Sequence, residues 1–277
     1  MKRVIYSIGM SALLALALSA CGGSGNSKGQ QVAASLMSQG QKSAAEKQVV
    51  KYELPAPLRD RPEQLLERKG YTASYNRLTK TPNWVAWHLT ADHTNGRYQR
   101  SQEVFTEDTS LDAPRATDQD YYNSRYDRGH MCPAGDNKWD KQAMAESFLF
   151  SNICPQNHGL NKYEWNDVEM MCRQWAKKYG AIDIVCGPIF DAPDGEQKTI
   201  GRNKVWVPQR FFKVVLCRRS EPKAIGFIYR NEGKKQLIEQ AVRTVDEVER
   251  TTGIDFFPAL DDKTEQRIEA RSDINEW

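Results

Sequence analysis

Three runs between residues 182 and 229 decide what this chain can fold into. Ile182-Asp183-Ile184-Val185-Cys186, Phe211-Phe212-Lys213-Val214-Val215-Leu216 and Ala224-Ile225-Gly226-Phe227-Ile228-Tyr229 are β-branched and aromatic, and Gly, Pro or charged residues bound each of them. Such runs form strands. Upstream, Tyr71–Thr79 and Trp84–Leu89 alternate well enough for two more strands, around a turn at Thr81-Pro82-Asn83. Asn161–Tyr179 reads as one helix, because Trp165, Val168, Cys172, Trp175 and Tyr179 recur at helical spacing and make a core-facing stripe. Thr244 and Glu247 form a capping box that opens a further helix, and Gly253 is a natural stop for it. Strands grouped apart from helices imply an α+β fold whose central sheet is mostly antiparallel and flanked by helices. There is no internal repeat.

The first twenty residues do not belong to that fold. Lys2 and Arg3 precede a mostly apolar stretch, Val4–Leu18, and small residues follow. That pattern is a secretory signal and is too short to span a bilayer comfortably. Leu18-Ser19-Ala20-Cys21 resembles a bacterial lipobox, which makes Cys21 the lipidation site and the membrane a partner through an N-terminal lipid anchor. An ordinary cleaved signal with an incidental cysteine is the alternative. Residues 21–55 then form the lipidated cysteine and a Gly-, Ser-, Gln-, Ala- and Lys-rich tether, with a coil span on the order of 30 Å. Residues 56–277 form one domain, large enough for a sizeable core. The implied address is an exported bacterial lipoprotein of the cell envelope, in the periplasm or at the cell surface, with the outer membrane favoured.

The formal net charge is only +3, and two of those charges are Lys2 and Arg3. Affinity for a polyanion must therefore come from locally clustered Arg and Lys. Five cysteines follow Cys21: Cys132, Cys154, Cys172, Cys186 and Cys217. Export permits disulfides, and an odd number leaves at least one thiol unpaired. Cys132 with Cys154, and Cys186 with Cys217, are candidate pairs, and buried free thiols are the equal alternative. Cys132, Cys154, His158 and Cys172 do not have the spacing of a zinc finger or ribbon.

The chemistry lies in Asp127-Arg128-Gly129-His130, with Asn161 and Glu169 downstream. An imidazole can take a proton from water, a guanidinium can hold a phosphate oxygen, a neutral amide can ligate a hard divalent cation, and a carboxylate can steer the water around that cation. Tyr126–Asp136 resembles the Asp-Arg-Gly-His signature of the DNA/RNA non-specific endonucleases, a family with a ββα-metal site. Ser151-Asn152-Ile153-Cys154-Pro155-Gln156, Leu160-Asn161, Trp165, Glu169 and Arg173 repeat a second block of that family's positions in order. Weaker similarity runs from about Tyr71 to Pro258.

The resemblance implies that His130 is the general base, with Arg128 pushing its pKa down and Asn152 accepting from or orienting the ring. Asn161 ligates magnesium directly, although an asparagine there also suits a helix N-cap. If the helix is continuous, Asn161 and Glu169 stand about 12 Å apart along its axis. Glu169 then reaches the ion through a water. Mn²⁺ is a substitute for Mg²⁺. Arg128, Arg173 and Arg100 are the phosphate clamps, with Arg97 as the alternative to Arg100. Asp127 supports local structure, and Asp136 and Asn137 support the turn after the motif. Trp84 and Trp87 belong to the core.

The implied activity is metal-dependent endonuclease cleavage of DNA and RNA without sequence specificity, giving 5′-phosphate ends. Every proposed contact addresses phosphate, which carries no base information. The alternatives are a small-molecule phosphodiesterase on the same scaffold and a non-catalytic surface lipoprotein that binds nucleic acid.

Overall fold

The computed structural model describes residues 50–192, 196–219 and 221–277. The expected signal peptide, Cys21 and the tether up to residue 49 lie outside the described residues. A compact unit runs from Val50 to Trp277. It starts before residue 56, because Tyr52 and Leu54 already pack on an apolar core and Ala56 N donates to Asp255 O at 2.9 Å. No helix among the described residues is long and apolar enough to cross a membrane.

Eleven strands are present among the described residues: β1 Gln64–Glu67, β2 Thr72–Asn76, β3 Thr81–Thr90, β4 Asp127–His130, β5 Ile153–Gln156, β6 Ala181–Ile189, β7 Thr199–Ile200, β8 Val205–Trp206, β9 Arg210–Cys217, β10 Lys223–Arg230 and β11 Val242–Arg243. The helices are α1 Asp118–Tyr121, α2 Lys141–Glu146, α3 His158–Lys162, α4 Glu164–Tyr179, α5 Ile238–Ala241, α6 Val245–Thr252 and α7 Asp262–Glu269. Seven strands form one antiparallel sheet in the order β1-β2-β3-β6-β9-β10-β11. The expected α+β fold and antiparallel sheet are present.

The central strands read as continuous apolar runs because both faces of the sheet are covered. Trp87, Ile184, Phe211, Val215 and Phe227 face α4, where Trp165, Val168, Cys172 and Trp175 meet them. Ala86, Val185, Phe212, Val214 and Leu216 face the other way, onto Val245 and Val248 of α6 and Ile268 of α7. Each fully buried large aliphatic or Phe side chain contributes roughly 1.5–3 kcal/mol on leaving water. The helix α6 begins at the Thr244–Glu247 capping box and ends at Gly253, whose φ of 69° is the left-handed conformation that glycine adopts freely.

Two local expectations are corrected. The first turn lies at Arg77–Lys80, with Lys80 at φ 59°, not at Thr81-Pro82-Asn83. Pro82 sits at the start of β3, where the β2–β3 register shifts, and β6 pairing begins only at Val85, so its missing N–H breaks no ladder there. The helix expected over Asn161–Tyr179 is two helices, broken at Tyr163 (φ −113°, ψ −89°). Asn161 therefore caps nothing. Asn157 is the N-cap of α3, accepting from Gly159 N at 2.9 Å. The five cysteines are buried free thiols.

Candidate active site

The strands β4 and β5 form a separate two-stranded ribbon in which Asp127 faces Gln156 and His130 faces Ile153. Gly129 is required at this point: a Cβ there would stand 2.6 Å from that of Gln156. The chain leaves β5 directly into α3 and α4, which gives a strand–strand–helix unit. Trp165 at the start of α4 is fully buried, and its Nε1 donates to the His130 carbonyl at 3.3 Å, tying the helix to the end of β4.

This unit walls a cleft of about 550 Å³ lined by Arg100, Asp127, His130, His158, Asn161, Glu169 and Arg173, among others. His130 is 7% exposed, and its Nε2 has no hydrogen-bond partner. The ring is held edge-on to Phe148, with centroids 4.9 Å apart, and tilted against Phe105 at 5.3 Å. Burial, and then the positive field of Arg100, depress its pKa to about 3, so the imidazole is neutral at physiological pH.

Asn161 is fixed by Asp127. Its Nδ2 donates to Asp127 Oδ2 at 2.8 Å, and His158 Nδ1 meets the same oxygen at 2.9 Å. No donor among the described residues engages Asn161 Oδ1, so that oxygen is available as a ligand. Asp127, expected to support local structure only, thus orients a cleft residue.

Glu169 lies in α4 with its side chain 12% exposed and one oxygen 4.0 Å from Arg173. Burial raises its pKa to about 7, against the opposing fields of Lys213 and Arg173. Arg173 Nη1 also donates to the buried Asp136 at 3.0 Å, and Trp87 Nε1 donates to the other Asp136 oxygen at 3.1 Å. Asp136 is therefore an ion-pair partner rather than only a turn residue. A carbonyl oxygen and a carboxylate on one cleft are hard oxygen donors, the set that magnesium-like cations take together with retained waters.

Two expectations need amending, and one choice between alternatives is resolved. Arg128 does not line the cleft: its Nε donates to Asp118 Oδ1 at 2.6 Å, and its guanidinium lies 5.7 Å from the ring centres of both Phe105 and Tyr121. The pleat puts Arg128 on the same face of β4 as His130, but the Phe105 ring packs against both and separates them. Asn152 does not engage the imidazole: its Oδ1 accepts from Cys132 N, and its Nδ2 donates to Cys132 O and Ser147 O, so it clips the backbone just past His130. Arg100 lines the cleft, whereas Arg97 does not and instead donates to the Tyr98 hydroxyl at 3.1 Å. No sequence motif marks the roles of His158 and Lys213. The signal for Lys213 was a lone charge interrupting an apolar strand run.

Comparison with known proteins bears on this arrangement. A profile of the DNA/RNA non-specific endonuclease family matches residues 47–263. The mitochondrial nuclease EXOG of Danio rerio is 38% identical over 216 residues, covering 72% of this chain and 63% of that protein. The mitochondrial nuclease of Saccharomyces cerevisiae is 34% identical over 229 residues, covering 75% of this chain and 68% of that protein. The chain spans about three fifths of the length of the EXOG relatives it matches. A crystal structure of the EndoG/EndoGI complex, described as showing the mechanism of EndoG inhibition, superposes with a TM-score of 0.71 at 29% identity, over 78% of this chain and 93% of that one. These relatives overturn one expectation. Proteins named as mitochondrial nucleases recur among them, which contradicts the bacterial envelope lipoprotein read from residues 1–21.

Proposed function

We propose, from the premise that this chain belongs to the DNA/RNA non-specific endonuclease family, that its cleft hydrolyses phosphodiester bonds of DNA and RNA without sequence preference. The cofactor is a single divalent cation, Mg²⁺ with Mn²⁺ as a substitute, and the products carry 5′-phosphates. One observation carries the reading: an unpartnered imidazole, an oriented amide oxygen, a carboxylate and two arginines line the same cleft.

Asn161 Oδ1 would hold the ion directly and Glu169 would reach it through a water. When bound, the ion supplies positive charge to the phosphate and to the leaving oxygen. Asp127 keeps the amide turned so that oxygen, not nitrogen, faces the ligand position. His130 Nε2 accepts a proton from a water that attacks phosphorus, and the bond from phosphorus to the 3′ oxygen breaks. The ring's low pKa keeps it unprotonated beforehand, and a phosphodiester anion entering the cleft raises its basicity at the moment of use. Arg173, braced by Asp136, and the exposed Arg100 hold the non-bridging oxygens as charge accumulates there. Every role assigned to these groups addresses the cation, the water or the phosphate, which fits indifference to sequence and sugar.

The test is incubation of the protein with circular DNA and with RNA, with magnesium or with chelator. Cleavage of both, abolished by chelation, is the expected result. Binding without cleavage would make it a nucleic-acid binder. Hydrolysis of a small phosphodiester with both polymers left intact would make it a small-ester phosphodiesterase.

A further inference from the structure

Lys213 is completely buried in the middle of β9. It stands in register with Cys186 of β6, which is in turn in register with Val85 of β3. Strand alternation turns it to the same layer as Phe211, Val215 and Cys217, the side of the sheet covered by α4. Its Nζ has no hydrogen-bond partner. It lies instead over two indoles, 4.4 Å from the ring centre of Trp165 and 5.3 Å from that of Trp87. Burying an ammonium ion without hydrogen bonds is costly, and a side chain such as Met would fill the slot without that cost. Attraction to the negative ring faces offsets part of it.

Each of these indoles also anchors a different part of the cleft. Trp165 Nε1 holds the His130 carbonyl at 3.3 Å. Trp87 Nε1 holds Asp136, whose other oxygen holds Arg173. One cation therefore sits beneath the supports of both the candidate base and a candidate phosphate clamp. Burial opposes its charge, but the neighbouring Cys186, Cys172, Glu169 and Asp136 outweigh burial and hold its pKa above the ordinary lysine value.

We propose that Lys213 is a positioning residue, a buried cation that draws the faces of Trp87 and Trp165 onto itself and so fixes His130 and Arg173 in the cleft. It touches no substrate and acts only through the two indoles. The proposal rests on the phosphodiester reading of the cleft.

The test compares Lys213→Met, which keeps the volume and removes the charge, with Lys213→Arg, which keeps the charge. Thermal unfolding, kcat and KM on DNA, and the fluorine spectrum of 5-fluorotryptophan-labelled protein are measured on all three forms. For Lys213→Met, Tm stays the same or rises, KM stays within about threefold, and kcat falls on the order of 10²-fold, the loss expected from misplacing reacting groups by about 1 Å. Lys213→Arg recovers kcat to within about tenfold of the unchanged chain. The Trp87 and Trp165 resonances, assigned by Trp→Phe variants, shift with Lys213→Met and return with Lys213→Arg. Full kcat in Lys213→Met overturns the proposal, and so do kcat and Tm falling together in both variants. If Lys213→Met does not fold, Lys213→Gln takes its place: a folded variant with kcat reduced and both tryptophan resonances shifted upholds the proposal, and full kcat or unmoved resonances overturn it. An unchanged chain that cuts nothing sinks the phosphodiester reading instead. In that event the two resonances alone judge the clamp, and their failure to move refutes it.

Discussion

Replacing Asp127 with alanine should separate the orientation of Asn161 from its mere presence. Asp127 Oδ2 accepts two hydrogen bonds, from Asn161 Nδ2 at 2.8 Å and His158 Nδ1 at 2.9 Å. Without that acceptor the amide can rotate and present nitrogen instead of oxygen to a cation. Groups that orient metal ligands in this way typically contribute 10- to 100-fold in affinity or activity, about 1.4–2.8 kcal/mol. The Asp127 side chain is 32% exposed, so water takes over part of its role and the lower half of that range is the better expectation. The assay is the initial rate of plasmid cleavage as a function of magnesium concentration. Asp127→Ala should lower the ratio of maximal rate to half-saturating magnesium by about 10- to 30-fold with little change in Tm. Asp127→Asn keeps a neutral acceptor and should lose less. Wild-type magnesium dependence in Asp127→Ala would refute the reasoning, because the amide would then need no partner to face the ion.

Two further predictions concern stability. Asn152→Ala leaves Cys132 N, Cys132 O and Ser147 O without their amide partner, at a cost of roughly 3 kcal/mol, which a calorimeter should read as a Tm loss of about 6–12 °C. If Asn152 served only the imidazole, activity would fall with Tm unchanged. At the other side of the sheet, burial and the neighbouring carboxylates Glu249, Glu265, Asp246 and Asp255 raise the pKa of Glu269 to about 9. Its folded pKa exceeds its unfolded value, so the stability this one group contributes is full below about pH 4.5 and is lost as pH rises toward 9. Glu269→Gln should therefore raise Tm by about 3 °C or more at pH 8 and change it little at pH 4. An equal effect at both pH values would remove ionisation as the cause.

The sheet was legible because a sheet covered on both faces needs uninterrupted apolar strands, and Ile182–Cys186, Phe211–Leu216 and Ala224–Tyr229 supply them. The α6 boundaries were legible because caps are local chemistry. The break at Tyr163 was not: neither Gly nor Pro marks it, and the Trp165–Tyr179 stripe continues the helical pattern from the other side. The turn closing at Lys80 carries no Gly either. Residue type revealed the candidate site, but partner choice did not. Asn152 and Arg128 have the right chemistry for the cleft, yet tertiary packing commits one to Cys132 and Ser147 and the other to Asp118. Lys213 looked like an interruption in a strand until the sheet stacked it on two indoles from distant segments. The address read from residues 1–21 rested on one short N-terminal pattern, and relatives matched over more than 200 residues outweigh it.

The most direct measurement is the single-turnover cleavage rate of His130→Ala on DNA with saturating magnesium, with DNA affinity determined on the same preparation. A rate loss of about 10²- to 10⁴-fold is expected, the usual contribution of a positioned base, with affinity within about threefold of the unchanged chain. Cleavage at the unchanged rate would contradict the base assignment, because no other described side chain in the cleft is assigned the proton.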